Sequence, residues 1–134
     1  TAGVYPERLV QALPWLDWVG LDIKGWGPDF DRICGRRGMW RRNVQSLALL
    51  LDAGIELECR TTVHWRDFSL RDVEKLAMSL ADCGVKRYVL QIARHEQCLD
   101  PHYTLPLSGV PSEHAVDLLV SRLAPHFEQI TVRR

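Results

Sequence analysis

The sequence lacks the closely spaced cysteine pairs of small disulfide-bonded or zinc-binding domains. It has four cysteines at wide intervals and no CxxC motif; they are Cys34, Cys59, Cys83 and Cys98. This spacing is typical of reduced thiols and argues against both a disulfide framework and a zinc knuckle. We therefore expect an intracellular protein.

An excess of charge of one sign and long apolar runs are also missing. Lys plus Arg and Asp plus Glu both number 17, so no global field draws the chain to nucleic acid or to an anionic membrane. The longest apolar runs, such as Leu47 to Leu51, are far shorter than the roughly 20 residues of a membrane span, and no signal-peptide pattern opens the chain. We expect a cytoplasmic protein with no membrane partner.

What is present is an ordinary globular composition. The 134 residues are 46% hydrophobic and 25% charged, which suits one folded domain that covers residues 1–134.

Strand and helix patterns alternate along the chain. Alternation of apolar and polar residues predicts four strands, at residues 17–24, 55–64, 87–94 and 127–132. Helical spacing predicts four helices, at residues 6–13, 43–54, 69–84 and 111–125. The second helix takes Asn43 as its N-cap, and the third begins with a capping box of Ser69 and Asp72. Residues 25–38 are predicted as a long loop with one helical turn around residues 30–33.

This order predicts an α/β fold with a parallel sheet, because loops this long do not form hairpins. Two of the strands, at residues 17–24 and 55–64, carry a polar face, whereas strands covered by helices on both faces are apolar throughout. In barrel-type parallel sheets, one face points to the interior and reactive groups gather at the carboxyl ends of the strands. The polar faces of these two strands are therefore consistent with the interior of a barrel-type sheet.

Four ordered motifs resemble the radical S-adenosylmethionine activating enzymes of pyruvate formate-lyase and anaerobic ribonucleotide reductase. They are DWVGLDIKG at residues 17–25, FDRICG at 30–35, ELECRTTV at 56–63 and YVLQIAR at 88–94. The likeness covers nearly the whole chain and implies the C-terminal half of a partial (β/α)6 barrel. The family's CxxxCxxC cluster loop and its Gly-Gly-Glu type motif do not occur here, so we expect a C-terminal part of a longer parent protein.

The resemblance implies an activity for the parent rather than for this chain alone. The parent would use S-adenosylmethionine and a [4Fe-4S] cluster to generate a radical that abstracts hydrogen from a glycine of a partner enzyme. Its partners would be a glycyl radical enzyme and an electron donor such as flavodoxin or ferredoxin. The chain alone is expected to be inactive, without cluster or bound cofactor. Its exposed sheet edges would favour self-association.

The resemblance places five cofactor-binding residues on the polar strand faces. Asp22 would accept hydrogen bonds from ribose hydroxyls, and Lys24 would meet the methionine carboxylate, although a simple salt bridge between the two is the structural alternative. Arg60 would orient the same carboxylate, or pair with Glu58 instead. Thr62 and Gln91 complete the set; Gln91 would read the adenine edge or satisfy backbone groups. No catalytic residue and no metal ligand are assigned to the chain.

Two histidine patterns are given structural interpretations. His64 ends the polar face of its strand, and a histidine at a loop start is more often an exposed structural residue than a catalytic one. His95, Cys98 and His102 have a spacing that superficially suits a metal, but a solvated loop is the simpler interpretation.

A basic segment supports a hypothesis of another class. Five arginines flank Met39 and Trp40; they are Arg32, Arg36, Arg37, Arg41 and Arg42. A small nucleic-acid or phosphate-binding α/β module would use them to neutralise phosphates and would stack Trp40 on a base. The zero net charge argues against it, and we expect no nucleic-acid partner.

Overall fold

A computed structural model of the protein describes residues 1–94, 98–105 and 107–134, and within them it shows an α/β fold. One sheet has the order β1-β2-β3-β4 with every neighbouring pair parallel; its strands are β1 (Trp18–Asp22), β2 (Glu56–Val63), β3 (Arg87–Ile92) and β4 (Gln129–Arg133). One helix, α1 (Pro6–Ala12), precedes β1, and the helices between the strands are α2 (Pro28–Cys34), α3 (Met39–Ala53), α4 (Leu70–Asp82) and α5 (Glu113–Leu123). Short 3-10 turns lie at Leu13–Trp15, Pro101–Thr104 and Ala124–His126. The predicted alternation and parallel sheet are confirmed.

The helices pack on one face of the sheet, where they share a single hydrophobic core. Alternate residues of β1 to β3 enter this core together with the apolar sides of α3, α4 and α5; the strand residues are Val19, Leu21, Cys59, Val63, Tyr88 and Leu90. Leu9 of α1 and Ile33 of α2 pack against its margin. Sequential parallel strands joined by right-handed crossovers place their helices on the same side, which explains this one-sided arrangement.

The other face of the sheet is polar, as the alternation predicts. Its residues are Trp18, Gly20 and Asp22 on β1, Glu58, Arg60 and Thr62 on β2, Arg87, Val89 and Gln91 on β3, and Gln129, Thr131 and Arg133 on β4. Charged side chains therefore face each other across neighbouring strands. This is the face on which the sequence places the candidate site.

Local sequence explains the ends of α4. The Ser69 hydroxyl accepts a hydrogen bond from the Asp72 amide, and the Asp72 carboxylate accepts one from the Ser69 amide, so the predicted capping box is present. Gly84 follows the helix with φ of 97°, a conformation that a residue with a Cβ adopts only with strain.

The predicted start of α3 at Asn43 is wrong, and the helical turn predicted around residues 30–33 is present but extends further in both directions, as α2. α2 makes almost two turns, and α3 begins at Met39, four residues earlier than predicted. The cause is a cap supplied from another helix: the Asp31 carboxylate accepts hydrogen bonds from the amides of Trp40 (2.8 Å) and Gly38 (2.9 Å). These bonds lower the pKa of Asp31, the Trp40 amide most. A carboxylate at a helix N-terminus is also stabilised by the positive end of the helix dipole.

Asn43 has instead a buried role inside α3. Its side-chain amide donates to the carbonyl oxygens of Ala2 (2.9 Å) and Asp22 (3.0 Å). Thr1 lies along the outer edge of β1, where its nitrogen donates to Gly20 O and its oxygen accepts from the Asp22 amide, both at 2.8 Å. α3 and residues 1–3 together fix the carboxyl end of β1.

The described residues include no helix that is long and apolar enough to cross a membrane.

The cysteines provide a direct test of which strand face is buried. Cys59 is fully buried on the helix side of β2, whereas Cys83 is exposed at the end of α4. Burial raises the pKa of the Cys59 thiol from 9.0 to about 12. We expect a thiol reagent such as Ellman's reagent to modify Cys83 rapidly in the native protein and Cys59 only after unfolding, as read by mass spectrometry of labelled peptides. Labelling of both at one rate in the native state would contradict the assigned facing.

The same shift predicts a pH dependence of stability. Because the folded-state pKa of Cys59 is raised, the unfolded chain loses this thiol proton first as the pH rises. The contribution of Cys59 to the free energy of unfolding is therefore complete below pH 9 and declines between pH 9 and about 12.

Candidate functional site

The candidate site is a pair of side-chain rows at the carboxyl end of the polar face. Asp22 lies opposite Arg60 in the β1–β2 register, and Thr62 lies opposite Gln91 in the β2–β3 register. Lys24 follows the buried Ile23 just beyond β1, at the level of the second row. All five residues that the sequence assigns to cofactor binding thus lie on one surface.

Asp22 pairs with Arg60 rather than with Lys24. The Arg60 Nε lies 3.5 Å from the Asp22 Oδ1, and the two side chains are partly exposed. The contact lacks hydrogen-bond geometry, so the buried Nε has no hydrogen-bond partner in the described chain. A buried guanidinium donor without an acceptor is costly.

The alternative partner of Arg60 is engaged elsewhere. The Glu58 carboxylate lies 3.5 Å from an Arg133 nitrogen, across the face on β4. Arg60 therefore keeps its contact with Asp22. One ion pair joins β1 to β2, and the other joins β2 to β4. Both ion pairs are long, at 3.5 Å, and partly exposed, so each contributes modestly to stability.

Gly20 makes room for the Arg60 side chain. A Cβ at position 20 would lie 2.6 Å from the Arg60 Nη2 and 3.0 Å from a ring atom of Trp18. The guanidinium thus lies directly over β1. Sequence reasoning did not assign Gly20 to the site, although a glycine inside a strand often marks a close approach of this kind.

A buried hydrogen-bond relay supports the site from below. The Tyr88 hydroxyl donates to the Thr61 Oγ1 at 2.6 Å, and the Thr61 hydroxyl donates to the Ile23 carbonyl oxygen at 2.7 Å. Tyr88 and Thr61 are both about 1% exposed, and burial raises the pKa of Tyr88. The relay ties β3 and β2 to the backbone between Asp22 and Lys24. One clue to this relay is visible in the sequence, namely a threonine and a tyrosine on the apolar side of two strands.

The other site residues are open to solvent. Thr62 and Gln91 are exposed, Lys24 is half-buried, and no ion pair of Lys24 occurs within the described residues. An ammonium, a hydroxyl and an amide at this end of the sheet can together bind a polar ligand that carries an anionic group.

The expected exposure of His64 is wrong, since it is 7% exposed. Its Nδ1 accepts a hydrogen bond from the Arg66 amide, so its Nε2 carries the proton and donates to the Tyr103 carbonyl oxygen at 3.1 Å. The Tyr103 ring packs edge-on against it at 4.6 Å. His64 holds the 98–105 segment over the end of β2. His95, which belongs to the predicted His-Cys-His spacing, lies outside the described residues.

The basic segment is partly neutralised by neighbouring carboxylates. Arg32 pairs with Asp29 (3.4 Å) and Asp67 (3.3 Å), and Arg42 lies 4.0 Å from a Glu7 oxygen. The Trp40 ring packs edge-on against Trp26 at 5.6 Å. Trp40 therefore contributes to the packing between α3 and the 25–28 turn, which leaves less of its face for a nucleic-acid base.

The protein therefore belongs to the class of α/β proteins with a parallel sheet in sequential strand order. The sheet has a polar face, and Lys24 and Arg60 supply positive charges at its carboxyl end. A scan of the sequence against models of protein families finds no match, and a search of curated proteins finds none.

Proposed function

We propose that this chain is the C-terminal half of a partial (β/α)6 barrel in a radical S-adenosylmethionine activase of a glycyl radical enzyme. The observation that carries the proposal is the polar sheet face, on which Asp22, Lys24 and Arg60 meet at the carboxyl end of the strands. A closed barrel would turn this face to its interior, where ligands of such folds bind.

In this proposal the chain forms part of the nucleotide wall. The partly exposed Arg60 guanidinium would donate to the methionine carboxylate, and the Lys24 ammonium would add charge at the same group. The Asp22 carboxylate would accept hydrogen bonds from the ribose hydroxyls. The exposed Gln91 amide, beside Thr62, would meet the adenine edge. These contacts orient the cofactor but transfer no proton or electron.

Two of the four cysteines, Cys59 and Cys83, do not fit the role of cluster ligands. Cys59 faces the apolar core, and its raised pKa disfavours the thiolate that iron requires. Cys83 lies at the opposite end of the sheet, next to the start of β3. In our proposal, a [4Fe-4S] cluster held by another segment of the parent supplies the electron that cleaves S-adenosylmethionine. The parent would receive that electron from a flavodoxin or ferredoxin and would act on a glycyl radical enzyme.

The test compares this chain with a polypeptide that extends it toward the N-terminus. Purified anaerobically with iron and sulfide, residues 1–134 alone are expected to bind no [4Fe-4S] cluster and to release no 5'-deoxyadenosine from S-adenosylmethionine. The extended polypeptide is expected to do both, through a CxxxCxxC segment. Stoichiometric iron with cluster absorbance in the short chain would contradict the proposal, and so would an extended chain that lacks this motif.

A further inference from the structure

Two adjoining cavities lie at the carboxyl ends of β3 and β4. One is a polar opening of about 440 Å³ on the sheet-face side, lined by Thr62, Gln91, Ile92, Arg94, Arg133 and Arg134. The other is a cleft of about 360 Å³ toward α5, lined mainly by His64, Ile92, Leu107, Val110, Pro111 and Val116, with Trp65 and Glu113 also in its wall. Both are bordered by Ile92, Ala93, Arg94 and Arg134, so one ligand can extend from the opening into the cleft.

The opening has a positive character that the whole protein lacks. Three guanidinium groups line it, and none of its described lining residues is Asp or Glu. Two of the three are partly neutralised from outside, since Arg133 pairs with Glu58 at 3.5 Å and Arg134 with Asp117 at 2.7 Å. Arg94 has no carboxylate partner among the described residues and is exposed. Arg134 also lies 3.9 Å from a Glu113 oxygen, so within the described part of the chain Arg94 supplies the one guanidinium of this opening without a carboxylate partner.

The cleft adds an apolar part to the same site. Aliphatic side chains from the 107–111 segment and α5 form its wall, and the His64 ring closes it as a neutral imidazole that donates to Tyr103 O. Its volume is within the range of roughly 300 to 1,000 Å³ that is usual for small-molecule pockets. Cavities outside the carboxyl ends of parallel strands are also the usual position of ligands in α/β folds.

We infer that this double cavity binds an organic acid with an apolar tail, its carboxylate at Arg94 and Arg133 and its tail in the cleft. One guanidinium without a carboxylate partner, that of Arg94, matches a monoanionic carboxylate better than a dianionic phosphate. Thr62 and Gln91 supply a hydroxyl and an amide for the carboxylate oxygens. Thr62 and Gln91 also belong to the nucleotide wall of the proposed function, so the two ligands would compete for them, but binding of the acid requires neither S-adenosylmethionine nor a cluster.

An amide NMR titration of residues 1–134 tests the inference with four probes: 4-phenylbutyrate, the uncharged 4-phenylbutan-1-ol, acetate and phenyl phosphate. We expect 4-phenylbutyrate to shift the amides of Arg94 and Val110 and to bind about fivefold or more tightly than each other probe. Arg94→Gln is expected to remove this advantage over the alcohol. Arg87→Gln is the matched control, since Arg87 lies on the same strand at its other end and is expected to change nothing.

Each alternative outcome would overturn the inference. Equal affinity for 4-phenylbutyrate and the alcohol would show that the arginines do not bind the carboxylate. Equal affinity for 4-phenylbutyrate and acetate would show that the cleft does not bind the apolar tail. Tighter binding of phenyl phosphate would contradict the carboxylate assignment. A loss of binding in Arg87→Gln but not in Arg94→Gln would place the site at the wrong end of the sheet.

Discussion

An Ile23→Ala substitution is expected to lower the free energy of unfolding by about 2–5 kcal/mol, the range for truncation of a buried aliphatic side chain. Ile23 is 1% exposed and lies in the core beneath the helices. Its carbonyl oxygen also accepts the Thr61 hydroxyl, so a shift of this backbone would disturb the relay as well. Urea unfolding followed by circular dichroism measures the loss.

The neighbouring residue is the control for Ile23. Lys24→Ala removes a half-buried side chain on the polar side and is expected to change the free energy of unfolding by less than about 0.5 kcal/mol, as surface substitutions usually do. A larger loss of stability in Lys24→Ala than in Ile23→Ala would show that the facing of this segment is misassigned.

Lys24→Ala is expected to weaken S-adenosylmethionine binding to the proposed parent by about ten- to hundredfold. The substitution removes a charge-assisted hydrogen bond to the methionine carboxylate, worth roughly 1.5–3 kcal/mol. Cluster content and folding should be unchanged, because no core packing is lost. Isothermal titration of the anaerobic, cluster-loaded protein measures the affinity.

A second lysine separates this effect from a general loss of charge. Lys86 is exposed beside the amino end of β3, where it lies 3.7 Å from a Glu128 oxygen. Lys86→Ala removes the same charge far from the proposed nucleotide wall and is expected to leave the affinity unchanged. Normal nucleotide binding by Lys24→Ala would remove the support that the Asp-x-Lys segment gives to the proposed function.

The sequence predicted those features of the fold that depend on local periodicity. Strand alternation identified the buried side of β1 and β2, and it placed Asp22, Arg60 and Thr62 on the opposite face, as the structure shows. The capping box at Ser69 was predictable for the same reason, since its two partners are three residues apart. Period and spacing are readable without knowledge of the tertiary fold.

Features that depend on distant partners were not predictable. The start of α3 is determined by Asp31, a side chain of a different helix, and Asn43 was misread because its partners are the backbone of residue 2 and of β1. The burial of His64 likewise depends on Tyr103, 39 residues further along the chain. Nor does periodicity decide whether Arg60 pairs with Asp22 or Glu58, because that choice depends on Arg133 from β4.

The Tyr88–Thr61–Ile23 relay has a consequence for how the candidate site responds to ligands. Movement of the end of β1 would break a hydrogen bond in the buried core and leave its polar atoms unpaired. The backbone beneath Asp22 and Lys24 is therefore already fixed before any ligand arrives, and adjustment on binding falls to the partly exposed side chains above it. Because this backbone is already ordered, ligand binding does not have to pay the conformational entropy of ordering a loop. The selectivity of the site for its ligand then depends on shape and charge alone.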